Sequence, residues 1–445
     1  MRGYRLDRMR RRVGYTVLGL SGTWLLWTLL PGMPVMRAPR ASAEEQAVGE
    51  ALFEHEWRPN DALARGDGLG PVFNGRSCAE CHFQGGIGGG GDNKHNVLAF
   101  EAHPTRDNPD VRSGLVHKFA VEGRYAEKTN TLHDFFPIVP FGVKVEAGCQ
   151  VLRQDFDPVR TESVNTTALF GAGWIDRIAA KSILHHNMTT SVSRIGQELS
   201  SDFSGITPGR PRILPDGRVG KFGWKAQFAT LEEFVAAACA NEIGLGNPKM
   251  PQAKPLVRSA YPEVAPDLDR QQFRALVAYI DTLPRPAMLL PESPRAQTRA
   301  SAGEAVFRRI GCAACHTPDL GGLDGVYSDF LLHRLDDPSK SSNQYGGRET
   351  LEVPLPDQHP LPAEWKTPPL WGVADSAPYF HDGGSPTLET AIERHHGDAE
   401  PVCEKYSALA QSDRSALIFF LKTLRAPSDA KPAPSAPATN VALSR

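Results

Sequence analysis

The sequence repeats one five-residue pattern, Cys-x-x-Cys-His, at residues 78–82 and 312–316. Two thiols at this spacing can each add to a vinyl group of one haem, and the histidine that follows is then held against the iron as an axial ligand. A zinc or redox Cys-x-x-Cys pair is the alternative, but it does not require a histidine directly after each pair. The pattern therefore predicts two covalently bound c-type haems. The predicted attachment and ligand residues are Cys78, Cys81, His82, Cys312, Cys315 and His316.

The N-terminal 43 residues have the pattern of a secretory signal peptide. Arginines precede an apolar stretch at residues 13–30, and small residues at 41–43 match a cleavage site. A retained membrane anchor is the alternative, because residues 13–36 nearly suffice to span a bilayer. Since c-type haem is attached outside the cytoplasm, we expect export to the periplasm.

The remainder of the chain is acidic. Residues 1–43 hold eight Arg and one Asp within a chain whose net charge is −2, and this balance argues against nucleic acid as a partner. Three cysteines lie outside the haem motifs, namely Cys149, Cys239 and Cys403. In an oxidising compartment they allow one disulfide and one free thiol, but the sequence does not select the pair.

The two halves of the chain repeat the same order of short motifs. Gly-Glu-Ala and two apolar residues precede each haem motif, at 49–53 and 303–307, on a predicted helix. Three further segments correspond in the same order: 169–171 with 370–372, 229–232 with 386–389, and the closing helices 269–283 with 413–424. The sequence therefore predicts a mainly α protein with two tandem cytochrome c-like domains.

The predicted domains cover residues 44–285 and 301–425. A proline-rich linker at 286–300 separates them, and an Ala-, Pro- and Ser-rich tail at 426–445 is expected to be disordered. The first domain is the longer one. Its insertions, including residues 97–151, are expected to be irregular with some β structure.

Three motifs of the second half are quite specific. They are Thr-Pro-Pro-Leu-Trp-Gly-Val at 367–373, Pro-Tyr-Phe-His-Asp-Gly at 378–383 and Thr-Leu-Glu at 387–389. The chain here resembles the bacterial di-haem cytochrome c peroxidase superfamily, which includes the methylamine-utilisation di-haem enzymes and the rubber oxygenases. Segments at 67–71, 74–78 and 220–224 are similar to its di-haem oxidoreductase branch, which is thiol oxidoreductase-like. The resemblance spans nearly all of residues 49–425, although no paired non-haem cysteines support thiol oxidation.

The resemblance implies a sixth ligand for the second haem, fourteen residues after the histidine of the His-Asp-Gly motif. That position is His395, and the neighbouring His396 is the alternative ligand. The peroxidases usually place Met there and the methylamine-utilisation enzymes Tyr, so histidine departs from both. Another interpretation makes His395 a surface residue of an amphipathic helix. His381 is expected to order the region between the haems rather than to bind iron.

The first haem is expected to lack such a ligand. Aligning the halves through their Thr-Leu-Glu segments places Ala238 at the position of His395, and alanine cannot ligate iron. This haem is thus expected to be five-coordinate, or capped by water or a mobile loop, and is the candidate reactive iron. Cys239 is either a thiolate ligand or a buried core residue. Other candidate caps are His95, His103, His117, His133, His185, His186, Met188, Met250 and Met288.

Two further residues take roles from the resemblance. Trp224 stands in the register of the peroxidases' inter-haem tryptophan and would be the electron bridge, with a core tryptophan as the alternative. Glu242 resembles the distal glutamate and would perform general acid-base work on peroxide. Phe234 replaces the family's distal glutamine, which makes the distal pocket more apolar.

The sequence thus predicts an exported oxidoreductase that reduces peroxide at the N-terminal haem with electrons received through the C-terminal haem. A small soluble donor, such as a cytochrome c or a copper protein, is the expected partner. The alternatives are oxygenase-type oxidation of an organic substrate and pure electron transfer. Calcium between the domains is implied by the resemblance alone, because no local calcium-loop pattern is present.

Overall fold

The computed structural model describes residues 36, 38, 40–140, 143–146, 149–152, 155–197, 207–258, 260–335 and 355–433, with the backbone alone at 143–146, 149–152, 189–197 and 258. Residues 1–35, most of the predicted signal peptide, lie outside this part of the chain. The described residues from Ala38 onward belong to one compact unit. In the described chain, no helix is both long and apolar enough to cross a bilayer.

Helices dominate the described structure, and the strands are short. The α-helices are α1 (Ala43–Glu54), α2 (Cys78–Cys81), α3 (Leu132–Phe135), α4 (Ala172–Asp176), α5 (Ala180–Gln197), α6 (Leu231–Ala238), α7 (Arg270–Asp281), α8 (Pro294–Ile310), α9 (Leu388–Glu393), α10 (Glu400–Ser407) and α11 (Gln411–Leu421). The strands are β1 (Val72–Phe73), β2 (Val97–Ala102), β3 (Arg112–Val116), β4 (Phe119–Ala120), β5 (Val143–Glu146), β6 (Cys149–Leu152), β7 (Val159–Val164), β8 (Ala287–Met288), β9 (Leu332–Arg334), β10 (Glu364–Lys366) and β11 (Leu424–Arg425).

The strands form small antiparallel sheets around the helices. The largest has the order β3-β2-β7 and lies in the first-half insertion, where some β structure was expected. The other sheets are two-stranded: β1 with β4, β5 with β6, β8 with β11, and β9 with β10. The mainly α prediction is therefore confirmed for the described residues.

Each half contains one pair of packed helices, α1 with α7 and α8 with α11. The equivalent glycines Gly49 and Gly303 lie at the two crossings, where an added Cβ would overlap the carbonyl oxygens of Ala275 and Ala416, respectively. Only a residue without a side chain allows the helices to approach so closely. The paired motifs of the sequence thus correspond to matching contacts in space.

Substituting Gly303 with Ala is expected to destabilise the protein. The added methyl group would meet the backbone of Ala416, which cannot move without displacing α11. We expect the free energy of unfolding to fall by roughly 2–3 kcal/mol, as for other overpacked cores. Gly123→Ala is the matched control, because nothing lies within 4 Å of its added Cβ. Equal denaturant midpoints for the two variants would contradict this account of the crossing.

The two segments predicted to lack regular structure are partly ordered. Within the predicted linker, β8 pairs with β11, and α8 begins at Pro294, whose fixed φ suits the first turn of a helix. Residues 426–433 of the predicted tail are also ordered, which corrects that expectation. Lys431 pairs there with Glu50 and Glu54 at 2.5 and 2.6 Å, and its carbonyl accepts the amide of Ile87. Residues 434–445 lie outside the described chain.

Candidate haem sites

The C-terminal Cys-x-x-Cys-His motif begins directly after α8. Gly311 ends this helix with a φ of +106°, a conformation that favours glycine, and the motif forms the next turn. The Nδ1 atom of His316 lies 3.1 Å from the carbonyl oxygen of Tyr327. A hydrogen bond donated by Nδ1 fixes the tautomer and leaves Nε2 free to bind a metal.

His395 lies opposite His316 at the end of α9. Its Nδ1 atom is 2.8 Å from the carbonyl oxygen of Ala391, so its Nε2 is free in the same way. The ring centroids of His316 and His395 are 6.4 Å apart. Two imidazoles that bind one metal from opposite sides at about 2.0–2.1 Å have centroids about 6 Å apart. The neighbouring His396 instead pairs with Glu400 at 2.8 Å, so the geometry favours His395 over His396.

One cavity of about 300 Å³ adjoins this histidine pair. Cys312, Cys315 and His316 line it, and most of its remaining wall is apolar. The cavity continues to Trp224 and Phe234 of the first half. Two thiols, two imidazoles and an apolar cavity are the donor set and surroundings that a covalently bound haem requires.

The N-terminal motif positions its histidine in the same way as the C-terminal motif. Cys78–Cys81 forms a helical turn, and Nδ1 of His82 lies 3.0 Å from the carbonyl oxygen of Gly89. The glycine-rich loop therefore positions the ligand, and at Gly91 a Cβ would overlap the carbonyl of Cys81. Burial lowers the pKa of both His82 and His316 to about 4, which keeps each imidazole neutral near pH 7. Neutral imidazole is the form that binds metal.

The N-terminal site has no counterpart of His395 at the corresponding helix position. Thr230 and Thr387 are the equivalent N-caps of α6 and α9, since each side chain accepts a hydrogen bond from the third residue of its helix. Eight residues after each cap stand Ala238 and His395. Alanine offers no lone pair to iron.

Several residues named as alternative caps are occupied elsewhere. Both ring nitrogens of His117 have partners, Glu127 at 2.8 Å and the carbonyl of Asn241 at 2.9 Å. Met188 and Met288 are 65% and 37% exposed, respectively. Hydrogen bonds or ion pairs also involve His95 with Asp92, His133 with Asp157, His103 with Glu101, and Met250 with Asn241. His185 and His186 lie on α5.

Glu242 lies on a wider, π-helical turn, Cys239–Ile243, that continues α6. Such turns are frequent at functional sites. Burial raises the pKa values of the Cys78 and Cys81 thiols, and the negative charge of the nearby Glu242 carboxylate adds to this effect. Burial raises the pKa of Glu242 to about 7.

The cysteines outside the motifs form no disulfide among the described side chains. Cys239 and Cys403 are both buried free thiols, and the side chain of Cys149 is not among those described. Burial raises the pKa of Cys239 to about 12, so the thiol is protonated at neutral pH. This favours the core interpretation of Cys239 over a thiolate ligand.

Trp224 connects the two sites through packed rings. Its centroid lies 6.4 Å from that of His381, followed by steps of 6.0 Å to Phe380 and 5.2 Å to His395. On the other side, its Nε1 donates to the carbonyl of Asn165 at 2.9 Å. Two residues further along, the peptide of Thr167 interacts with the His82 ring.

Some residues beside Trp224 were not found from the sequence. Trp365 stacks on His381 with centroids 3.5 Å apart, and the Lys225 ammonium lies 3.9 Å from the centroid of Trp365. Trp365 therefore covers one face of the His381 ring. The Nε2 atom of His381 lies 3.2 Å from the Glu162 carboxylate. This agrees with an ordering role for His381 rather than a ligand role. In the sequence, only the adjacent Trp365 and Lys366 mark this region, and an aromatic residue beside a lysine is too common to indicate a functional site.

No group of the described side chains resembles a calcium site. Two groups bring three potential ligand atoms within 4.8 Å: Cys315 with Asp329 and His333, and Glu162 with His381 and Asp382. Each group mixes carboxylate oxygen with nitrogen or sulfur. Calcium prefers six to eight oxygen ligands, so neither group resembles its usual site. The calcium expectation remains a prediction.

Residues 154–424 match the model of the di-haem oxidoreductase family, and the chain belongs to that family. The predicted resemblance is thereby confirmed, and membership of a di-haem oxidoreductase family agrees with the predicted haem c cofactor.

Two curated relatives and one solved structure illustrate the similarity. The cytochrome c551 peroxidase of Nitrosomonas europaea is 29% identical over 27% of this chain and 33% of its own length. The methylamine utilization protein MauG of Methylorubrum extorquens is 27% identical over 40% of this chain and 50% of its own length. The chain therefore spans a third to a half of these relatives. The diheme peroxidase BthA of Burkholderia thailandensis aligns over 86% of each chain at 14% identity, with a TM-score of 0.38.

Proposed function

We propose that the protein reduces hydrogen peroxide to water at the N-terminal haem, with electrons that enter through the C-terminal haem. The observation that carries this proposal is the unequal surroundings of His316 and His82. His395 faces His316, whereas Ala238 stands at the corresponding position of the N-terminal site. An iron with both axial positions filled suits electron transfer, and an iron with an open position can bind peroxide.

Glu242 is the proposed general acid and base. Haem iron, when bound, supplies the peroxide-binding position and passes on the two electrons that each peroxide consumes. The Glu242 carboxylate accepts the proton from one peroxide oxygen and gives it to the other, whose bond to the first breaks as it leaves as water. Two protons from solvent and the two electrons convert the remaining oxygen into the second water. A pKa of about 7 suits both halves of this proton transfer near neutral pH.

Trp224→Phe is expected to slow electron transfer between the sites without altering the ligands of either iron. The substitution removes the indole and its hydrogen bond to Asn165, while an aromatic ring remains for packing. Stopped-flow reduction, followed at the absorbance of each haem, would measure the rate. Trp57→Phe is the control, because it makes the same substitution at a tryptophan that packs on His55, outside the series of rings between the sites. Equal rates in both variants would exclude Trp224 as the bridge.

The proposed electron donor is a small soluble protein, such as a cytochrome c or a copper protein, that delivers one electron at a time. The proposed location is the periplasm, because c-type haem is attached outside the cytoplasm. The test of function is stoichiometry: each peroxide consumed should oxidise two equivalents of a one-electron donor. Consumption of peroxide without donor oxidation would contradict the proposal.

A second function is favoured by the aromatic residues near Trp224. Phe234 packs against Phe222 and Phe228 with centroid distances of 5.8 Å, and it lines the cavity. Such a wall suits an apolar organic substrate, which would be oxidised in an oxygenase-type reaction. Product analysis separates the two functions: incubation with dioxygen and an alkene yields oxygenated product only under the second, and donor-dependent loss of peroxide occurs only under the first.

A further inference from the structure

Lys366 places a positive charge inside the protein at the C-terminal cavity. It is the last residue of β10, where it pairs with Leu332 of β9. The side chain is 7% exposed and contributes to the cavity wall that Cys312 and His316 also line. Its backbone amide donates to the carbonyl oxygen of Trp224 at 2.8 Å, so its position is fixed.

The Lys366 ammonium has no ion pair or side-chain hydrogen bond among the described residues. Its Nζ atom lies 5.4 Å from the centroid of the Phe330 ring. The Asp329 carboxylate exerts some attraction but is already bonded to His333 at 2.8 Å and to the amide of Leu331 at 2.9 Å. A buried charge without a partner is costly, so proteins normally supply one.

Two other lysines near the cavity, the buried Lys221 and the half-buried Lys225, have backbone carbonyls as partners. The Nζ atom of Lys221 donates to the carbonyls of Asp176 and Ile178. The Nζ atom of Lys225 donates to three carbonyls at 2.7 to 3.1 Å. Lys366 differs from both because its ammonium faces the cavity instead of a backbone carbonyl. Burial accordingly lowers its pKa to about 8.

We propose that Lys366 binds a propionate carboxylate of the C-terminal haem. This inference rests on the haem occupying the cavity beside Cys312 and His316, as the family requires, but not on peroxide chemistry. Haem carries two propionate groups, and an ammonium that bonds one of them forms a charge-assisted pair in a largely apolar setting. The pair would orient the haem. Its positive charge would also stabilise the ferrous form, because reduction adds a negative charge nearby.

Lys366→Met and Lys366→Arg test this assignment. Methionine has a similar length without the charge, so the fold should persist, and the number of covalent haems per protein would verify it. In Lys366→Met we expect the midpoint potential of the His316/His395 haem to shift downward and the propionate-bending bands in resonance Raman spectra to move. Lys366→Arg should keep both close to wild type.

Lys221→Met is the matched control, because it removes a buried lysine of the same cavity whose ammonium already has protein partners: the carbonyls of Asp176 and Ile178 and, at 3.8 Å, the Asp176 carboxylate. Its propionate bands should remain unchanged. Unchanged bands and potential in Lys366→Met, or equal band shifts in both methionine variants, would overturn the proposal. These readouts need no substrate, so a failure of peroxide reduction would leave this assignment standing.

Discussion

Changing Glu242 to Gln is expected to lower kcat/KM for hydrogen peroxide by about 10²–10⁴-fold, the usual contribution of a positioned acid-base group. Glutamine keeps the size of the side chain but can neither accept nor return the peroxide proton. Because burial raises the pKa of Glu242 to about 7, the ionised form that accepts this proton increases as pH rises through 7. Wild-type kcat/KM should therefore rise over this interval and then level off, and the variant should lose this dependence.

Glu232→Gln is the control for this experiment. Glu232 lies on the same helix, α6, but is paired with Lys249 at the surface, with 48% of its side chain exposed. Steady-state peroxide reduction with a reduced donor should be unchanged in this variant. If Glu242→Gln retained the wild-type rate and pH profile, the carboxylate would have no role in proton transfer.

Changing His395 to Ala is expected to remove the low-spin signal of one of the two haems completely. The imidazole that faces His316 is lost, and Ala391 and Ile392 beside it offer no replacement ligand. The C-terminal iron should become high-spin. Loss of a strong nitrogen ligand should also raise its reduction potential, as the weaker thioether ligand does in cytochromes c. Optical and electron paramagnetic resonance spectra of the oxidised variant measure the spin state, and a redox titration followed by haem absorbance measures the potential.

His396→Ala distinguishes ligand loss from general damage to this helix end. His396 pairs with Glu400 on the neighbouring α10, so its removal should leave both haem spectra intact. A low-spin spectrum that persists in His395→Ala but disappears in His396→Ala would reverse the ligand assignment.

The features that were predictable from the sequence depend on short, local patterns. The haem motifs carry their own spacing, and the equivalence of Gly49 and Gly303 follows from the residues around them. The family resemblance implied His395, fourteen residues after the histidine of the His-Asp-Gly motif, and the shared Thr-Leu-Glu segments then placed Ala238 at the equivalent position. The haem motifs and the helix patterns act over short stretches of chain, which is why the sequence alone shows them.

Other features depend on contacts between distant segments and leave no local pattern. In the sequence, nothing distinguishes Lys366 from other charged residues. Only the pairing of β10 with β9 places it in the cavity wall. The order of residues 426–433 likewise follows from Lys431 meeting two carboxylates of α1, nearly 400 residues earlier in the chain. Composition indicated a disordered tail because composition does not report such distant partners.

The central claim is the inequality of the two irons, and electron paramagnetic resonance of the oxidised protein, with and without cyanide, tests it most directly. The account predicts one low-spin haem with two imidazole ligands, whose spectrum does not change when cyanide is added. It also predicts one high-spin haem that becomes low-spin when cyanide binds. Two low-spin haems that are both indifferent to cyanide would contradict it, because neither iron would then have a position for peroxide.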